Sequence, residues 1–220
     1  FAKHANLPPP QLVKTIESSV RLTSRGLINI GYVGLAAWGW EIIFRWLYPL
    51  IARPTNIPYS DLLIGFPNKS IEADQALWKV AQLNGARRAA QLNTYLEEFG
   101  SRVEDVELAN PTLREQPELV DHLLKLYSRT PNPAYSFKQS VTKREQATQQ
   151  VERQLRVPRT LFHHLLNIVQ ANVRLREDRR YYEFLGDYYL RQMILTLGKK
   201  LNLTDSTFTH SWQELKHAAN

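Results

Sequence analysis

The chain contains no cysteine, which excludes disulfides, thiolate metal sites and a cysteine nucleophile. Its 9 glycines form neither G-x-x-x-x-G-K-[ST] nor G-x-G-x-x-G, so neither of the usual backbone cradles for phosphate is present. H-E-x-x-H is absent too. The adjacent pair His163-His164 diverges by about 100° on a helix, so those rings do not share a metal, and no metal ligand is expected. No nucleophile elbow frames a serine. Strand-like alternation is nearly absent, and no repeat recurs at solenoid periods.

What is there is an ordinary globular composition. The 220 residues are 43% hydrophobic and 22% charged, enough for one large domain or two small ones with a buried core. The net charge of +7 sits in one place, because Lys138 to Lys200 holds 13 Lys+Arg against 6 Asp+Glu. Such a local basic field attracts phosphates, nucleotides or an acidic surface. The run lacks the interleaved aromatics and glycines of RNA-binding modules, which argues against nucleic acid. The chain opens on Phe1 without a signal-peptide pattern, so it is expected to be cut from something longer. Together with the missing cysteine, this makes a cytoplasmic location the expectation.

Most windows carry helical periodicity, and the expected fold is all-α, a multi-helix domain with one very long C-terminal helix. Leu12, Ile16 and Val20 recur one turn apart after Pro8, Pro9 and Pro10. Ser70 is the expected cap of a helix with Glu72 and Asp74 in its first turn and a stripe of Ala73, Leu77, Val80 and Leu83. A stripe of Ala89, Leu92, Leu96 and Phe99 stops at Gly100. Pro117 opens a helix with Leu119, Val120, Leu123, Leu124 and Tyr127 on one face. A loop over Arg129–Tyr135 is expected to divide residues 1–130, a helical subdomain, from 131–220, a long-helix subdomain, the two packed as one domain. Lys138 to Arg156 is polar apart from Val141, Val151 and Leu155. Pro158 to Leu197 then holds no further proline, and Leu161, Leu165, Ile168 and Leu175 keep helical spacing along about 60 Å.

The apolar segment 27–52 stands apart. In the 18 positions from Leu27 to Phe44 only Asn29 and Glu41 are plainly polar, and Trp38, Trp40, Trp46 and Tyr48 gather towards the end. That length and those aromatics suit a membrane hairpin or interface helix. Gly26, just before the segment, Gly31, Gly34 and Gly39 within it, and the Glu41–Arg45 spacing suit instead a buried helix or helix-turn-helix of a soluble domain, the preferred reading.

Two constellations carry potential chemistry. After the stop at Phe99-Gly100 come Ser101-Arg102, Glu104, Glu107-Leu108, Pro111, Glu115 and Pro117, placing an arginine and several carboxylates in a loop. In Arg176-Glu177-Asp178-Arg179-Arg180, Arg176 and Arg180 leave one helix face and suit a phosphate or carboxylate, with Glu177 beside them to orient an arginine or take a proton. The plainer reading of both is a salt-bridge network between packed helices, and spacing alone favours it.

These residues resemble a family. Phe99-Gly100-x-Arg102, Glu107-Leu108-x-x-Pro111 and Glu115-x-Pro117 are similar to the F-G-H-R…E-L-x-x-P-x-x-x-E-x-P region of phosphoenolpyruvate synthase-like enzymes, and most to the rifampicin phosphotransferase type. Arg176-Glu177-x-x-Arg180 resembles their R-E-x-x-K. Asp205-x-x-Phe208-x-x-Ser211-x-x-Glu214-Leu215 and Leu62–Asn68 resemble segments in the same order, so the likeness runs over about residues 60–217. Ser101 stands where the motif has histidine and Arg180 where it has lysine, which keeps the charge but removes a proton-transferring amine. In that family an ATP-grasp domain phosphorylates a histidine on a swivelling domain, which delivers the phosphate to a substrate held by a third, helical region.

The resemblance implies that this chain is part of that helical region, with Arg176, Glu177, Arg180 and Arg102 binding a phosphorylated or small-molecule substrate. The T-x-G-G…H motif is absent, so no catalytic residue and no cofactor are expected in this chain, which is inactive alone. ATP and magnesium belong with the ATP-grasp and phosphohistidine domains, its expected partners. The alternative is a non-catalytic helical module, or degenerate family member, that binds a protein or, through 27–52, a membrane.

Overall fold

The computed structural model describes residues 6–53, 56–103 and 107–220, without the side chains of 23, 27–30, 204 and 205. The described residues are almost wholly helical: α1 (Pro9–Ile51), α2 (Lys69–Ala81), α3 (Gly85–Phe99), α4 (Pro117–Arg129), α5 (Pro133–Glu152), α6 (Arg159–Lys200) and α7 (Trp212–Ala219), with three short 3₁₀ turns between them. Among them, extended pairing is limited to one bridge between Ala52 and Leu155. The all-α expectation holds, and so does the very long helix, for α6 runs 42 residues. The Glu104 of the first constellation lies outside the described residues, as do the side chains of Leu27, Asn29 and Asp205.

α1 is one unbroken helix of 43 residues, so the helix-turn-helix alternative fails. Pro9 and Pro10 sit in its first turn, where a missing N–H leaves no hydrogen bond unmade. Leu12 and Ile16 are buried as their spacing implied, but Val20 is exposed.

The chain packs as two compact units, each assembled from separate stretches of sequence. The first takes in Phe1–Asn29, Leu96–Val120 and Tyr182–Asn220; Leu12, Val13, Ile16, Leu190, Leu197 and Leu215 lie at its core. The second takes in Ile30–Tyr95 and Asp121–Tyr181, around Phe44, Leu62, Val151, Phe162, Leu166 and Val169. The expected boundary at 130/131 falls inside the second unit. Pro133 does not belong to a divider either: Asn132 caps α5 through Ala134 N at 2.9 Å, and Pro133 starts the helix.

Within the second unit, α2 starts one residue earlier than Ser70 implied. Asn68 is the cap, its side-chain oxygen accepting from Ile71 N at 2.9 Å. The amide of Lys69 donates to Asp178 Oδ1 of α6 at 3.0 Å, so two of the four orphan donors of this helix end are satisfied. Asn68→Ala should cost about 1 kcal/mol in a urea titration, whereas Ser70→Ala should leave the midpoint nearly unchanged. Ahead of the cap, Gly65 adopts φ +71, and a Cβ there would meet the Ser140–Val141 backbone at 2.7 Å. Arg144 fastens that turn by donating to the carbonyls of Ile64 and Gly65, with its guanidinium over the Phe66 ring.

α6 buries a different stripe from the expected one. Phe162, Leu166, Val169 and Val173 are buried, while Leu161 and Leu175 are exposed and Leu165 and Ile168 half-buried. Both sets keep helical spacing, but they are rotated by one residue, about 100°, and only the partner across the core decides between them. α3 likewise buries Tyr95 together with Phe99.

Candidate functional site

The basic run of α6 meets the apolar part of α1 within the second unit. Arg176, Glu177, Arg179 and Arg180 line one wall of a cavity of about 420 Å³, and Gly31, Gly34, Leu35 and Trp38 line the other. Arg176, Arg179 and Arg180 are three and four residues apart, so α6 presents them from one face. Gly34 makes this possible: a Cβ there would collide with the guanidinium of Arg179. Glycine at this position costs helix stability but lets an arginine lie against the helix backbone.

The three cations are not equivalent. Arg176 Nη1 donates to Glu41 Oε2 at 3.0 Å, and its Nε donates to Glu177 Oε1 at 3.3 Å. Arg176 is thus held between two carboxylates, and Glu41 is matched with it rather than with Arg45 as its spacing suggested. Arg180 is exposed and makes no ion pair among the described residues. Asp178 turns away to cap α2 and lies 3.9 Å from Arg174. The cavity wall therefore carries three arginines against a single carboxylate, Glu177, a donor-rich arrangement suited to an anion.

Of the sequence-predicted residues, the structure brings Arg176, Glu177 and Arg180 together. Arg102 belongs to the first unit and is not among the residues lining this cavity. There its carbonyl accepts from Leu113 N at 2.8 Å, closing the turn after α3. Gly100 follows the last residue of α3 and is packed so tightly on Leu96 O that a Cβ there would not fit. Arg114 adds a cap by donating to that same carbonyl and to the Tyr188 hydroxyl. Ser101, in the motif's histidine position, is buried, and its hydroxyl has no hydrogen-bond partner among the described residues.

Within this constellation Glu115 is not offered to a ligand. Glu115 accepts from Thr112 N and Oγ1 at 2.9 and 2.8 Å, forming a capping box, and from Arg191 Nε at 3.0 Å. Arg191, buried in the first unit, also donates to the carbonyls of Leu108 and Ala109 at 2.6 and 2.9 Å and lies over the Phe208 ring. Burial pushes the Glu115 carboxyl up, but the bonds from Arg191 and Thr112 outweigh it and hold the pKa below its ordinary value. Thr112, Glu115 and Arg191 form a structural latch.

As site residues, Gly34, Trp38, Arg179 and Arg191 escape the sequence reading. The Gly31-x-x-Gly34 spacing inside an apolar run was the available signal for a close approach, and the lone charge in Tyr188–Leu197 was the signal for Arg191. His163 is occupied by Glu152 at 2.9 Å, in keeping with a structural role.

Comparison with known proteins agrees with the motif reading. Residues 82–177 match the family model of the rifampicin phosphotransferase fourth domain, a stretch that ends on Arg176 and Glu177. Chondramide synthase of Chondromyces crocatus is similar at 29% identity over 212 aligned residues, which take in 74% of this chain. The match spans only 5% of that protein's length. The resemblance to phosphoenolpyruvate synthase-like enzymes is thus supported as a distant similarity, through the match to the rifampicin phosphotransferase fourth domain over residues 82–177 of this all-helical chain.

Proposed function

We propose that this domain, distantly related to the rifampicin phosphotransferase fourth domain, binds the substrate of a multidomain ATP-dependent phosphotransferase that works through a phosphohistidine. It holds the anionic end of its ligand at Arg176, Arg179 and Arg180 and is inactive alone. The observation that carries this reading is the cavity wall of three arginines with one lining carboxylate. Arg180, exposed, makes the first contact with a phosphoryl group; a planar guanidinium can grip two of its oxygens at once. Glu177 and Glu41 fix Arg176, so its remaining donors are aimed before the ligand arrives. Those donors fit an anion and not a bound metal ion. ATP and magnesium are accordingly assigned to the ATP-grasp partner, and the phosphoryl-carrying histidine to a swivelling partner domain, in the cytoplasm.

Calorimetric titration with inorganic phosphate tests the reading. Each charge-assisted bond contributes roughly 1.5–3 kcal/mol, so Arg180→Ala should weaken binding about tenfold or more. Because Arg180 is exposed, its melting temperature should hardly move. Arg176→Ala should lose both affinity and some stability, since Glu41 is left half-buried without its partner. Unchanged phosphate affinity in Arg180→Ala would sink the proposal.

A further inference from the structure

The cavity takes up one edge of α1, and an exposed apolar stripe continues from that edge along the helix. Leu35, Trp38, Ile42, Trp46 and Leu50 follow one another at intervals of three and four residues, and each is more than half exposed. Tyr32 and Ile43 extend the same face. On a helix these positions fill an arc of about 120–140° and run along roughly 27 Å. The helix contains a window long and apolar enough to cross a membrane, yet only 14% of that window is buried. An exposed apolar face of this extent, rich in tryptophan, marks an interaction site.

We propose that this face lies on an anionic lipid surface, in the plane of the interface. A spanning helix would need all sides apolar, but Ala37, Phe44 and Ile51 on the opposite side are buried in protein, and Glu41 is bonded to Arg176. What remains for lipid is one stripe, the arrangement of a helix that beds into the headgroup boundary. Trp38, Trp46 and Tyr32 have the amphipathic rings that settle at that depth. Charge selects the kind of lipid. Arg45 is exposed on one flank of the stripe, and on the same flank Leu35 and Trp38 share the cavity with Arg176, Arg179 and Arg180. That basic flank complements anionic headgroups. The same charge disfavours a second copy of the chain as occupant, because each copy carries +7.

Sedimentation of the intact chain with vesicles decides the matter. Vesicles of phosphatidylcholine mixed with phosphatidylglycerol should carry the protein down, with a blue shift of tryptophan emission, and pure phosphatidylcholine should carry far less. Added salt should weaken the binding. The double variant Ile42→Glu, Trp46→Glu should reduce the bound fraction about tenfold while keeping the helical circular dichroism of the parent, because both side chains are exposed. Arg45→Glu, which replaces none of the apolar residues of the stripe, should lower binding to the anionic vesicles specifically and serves if the double variant misfolds. The proposal is overturned by no binding to anionic vesicles, by equal binding of the variants, or by a dimer that the double variant dissolves in the absence of vesicle binding. None of these variants alters a cavity residue, so failure here is separable from failure of phosphate binding.

Discussion

Replacing Arg191 with alanine is expected to cost about 3–5 kcal/mol of folding stability, enough to bring a domain of ordinary stability close to unfolding. The size follows from what the side chain holds. Arg191 is buried, donates to Glu115 and to two carbonyls, and covers Phe208. Its removal leaves a partly buried carboxylate without its cation and two carbonyls short of a donor. The lower end of the range applies if water reaches Glu115, whose side chain is still a quarter exposed. Chemical denaturation with circular dichroism measures the loss. A loss below about 1 kcal/mol would show that the latch is not built as described. Adding Glu115→Gln to the alanine variant should restore part of the stability, since the uncompensated charge is then gone. The pH dependence has a definite sign. The folded pKa of Glu115 is below its ordinary value of 4.5, so its contribution is present above that value and lost as pH falls through the folded pKa. The alanine variant should show a weaker acid-linked decline, because the Thr112 bonds remain while the cation that lowered the carboxyl is gone.

This latch also shows where sequence reading stops. That Glu115 lies in a motif was legible; that its partner would be Arg191, 76 positions away, was not, because no local spacing encodes a tertiary pair. The same limit explains Glu41, whose helical neighbour Arg45 was the nearest candidate in sequence but lost to Arg176 on another helix. Local physics was readable where it acts alone. Proline at the first turn placed the starts of α1 and α4, and the proline-free run after Pro158 announced α6. The pairing of Arg176 with Arg180 across one turn was readable for the same reason, since helix geometry alone puts them on one face. The apolar stretch of α1 misleads in a more instructive way. Its hydrophobicity suggests burial, yet Trp38, Ile42 and Trp46 are exposed, since composition reports only that a residue avoids water, not what covers it.

The phase of α6 yields the second large effect. Phe162→Ala should destabilise the protein by about 3–5 kcal/mol, and Leu161→Ala, its neighbour, by well under about 1 kcal/mol. Phe162 is completely buried, with Phe44, Leu62 and Val151 in the same core cluster, so truncation removes a whole ring from packed surroundings and leaves a cavity. Leu161 is almost half exposed, and water can replace what its side chain leaves. Two adjacent apolar residues thus differ by several kcal/mol because they point about 100° apart on one helix. The periodicity of Leu161, Leu165 and Ile168 is as regular as that of Phe162, Leu166 and Val169; what separates them is the core, for Phe162 shares a cluster with Phe44 of α1 and Val151 of α5 while Leu161 faces solvent. Equilibrium unfolding of both variants measures the difference directly. If Leu161→Ala proved the costlier substitution, α6 would be rotated relative to its core, and Arg176, Arg179 and Arg180 would turn away from the cavity with it.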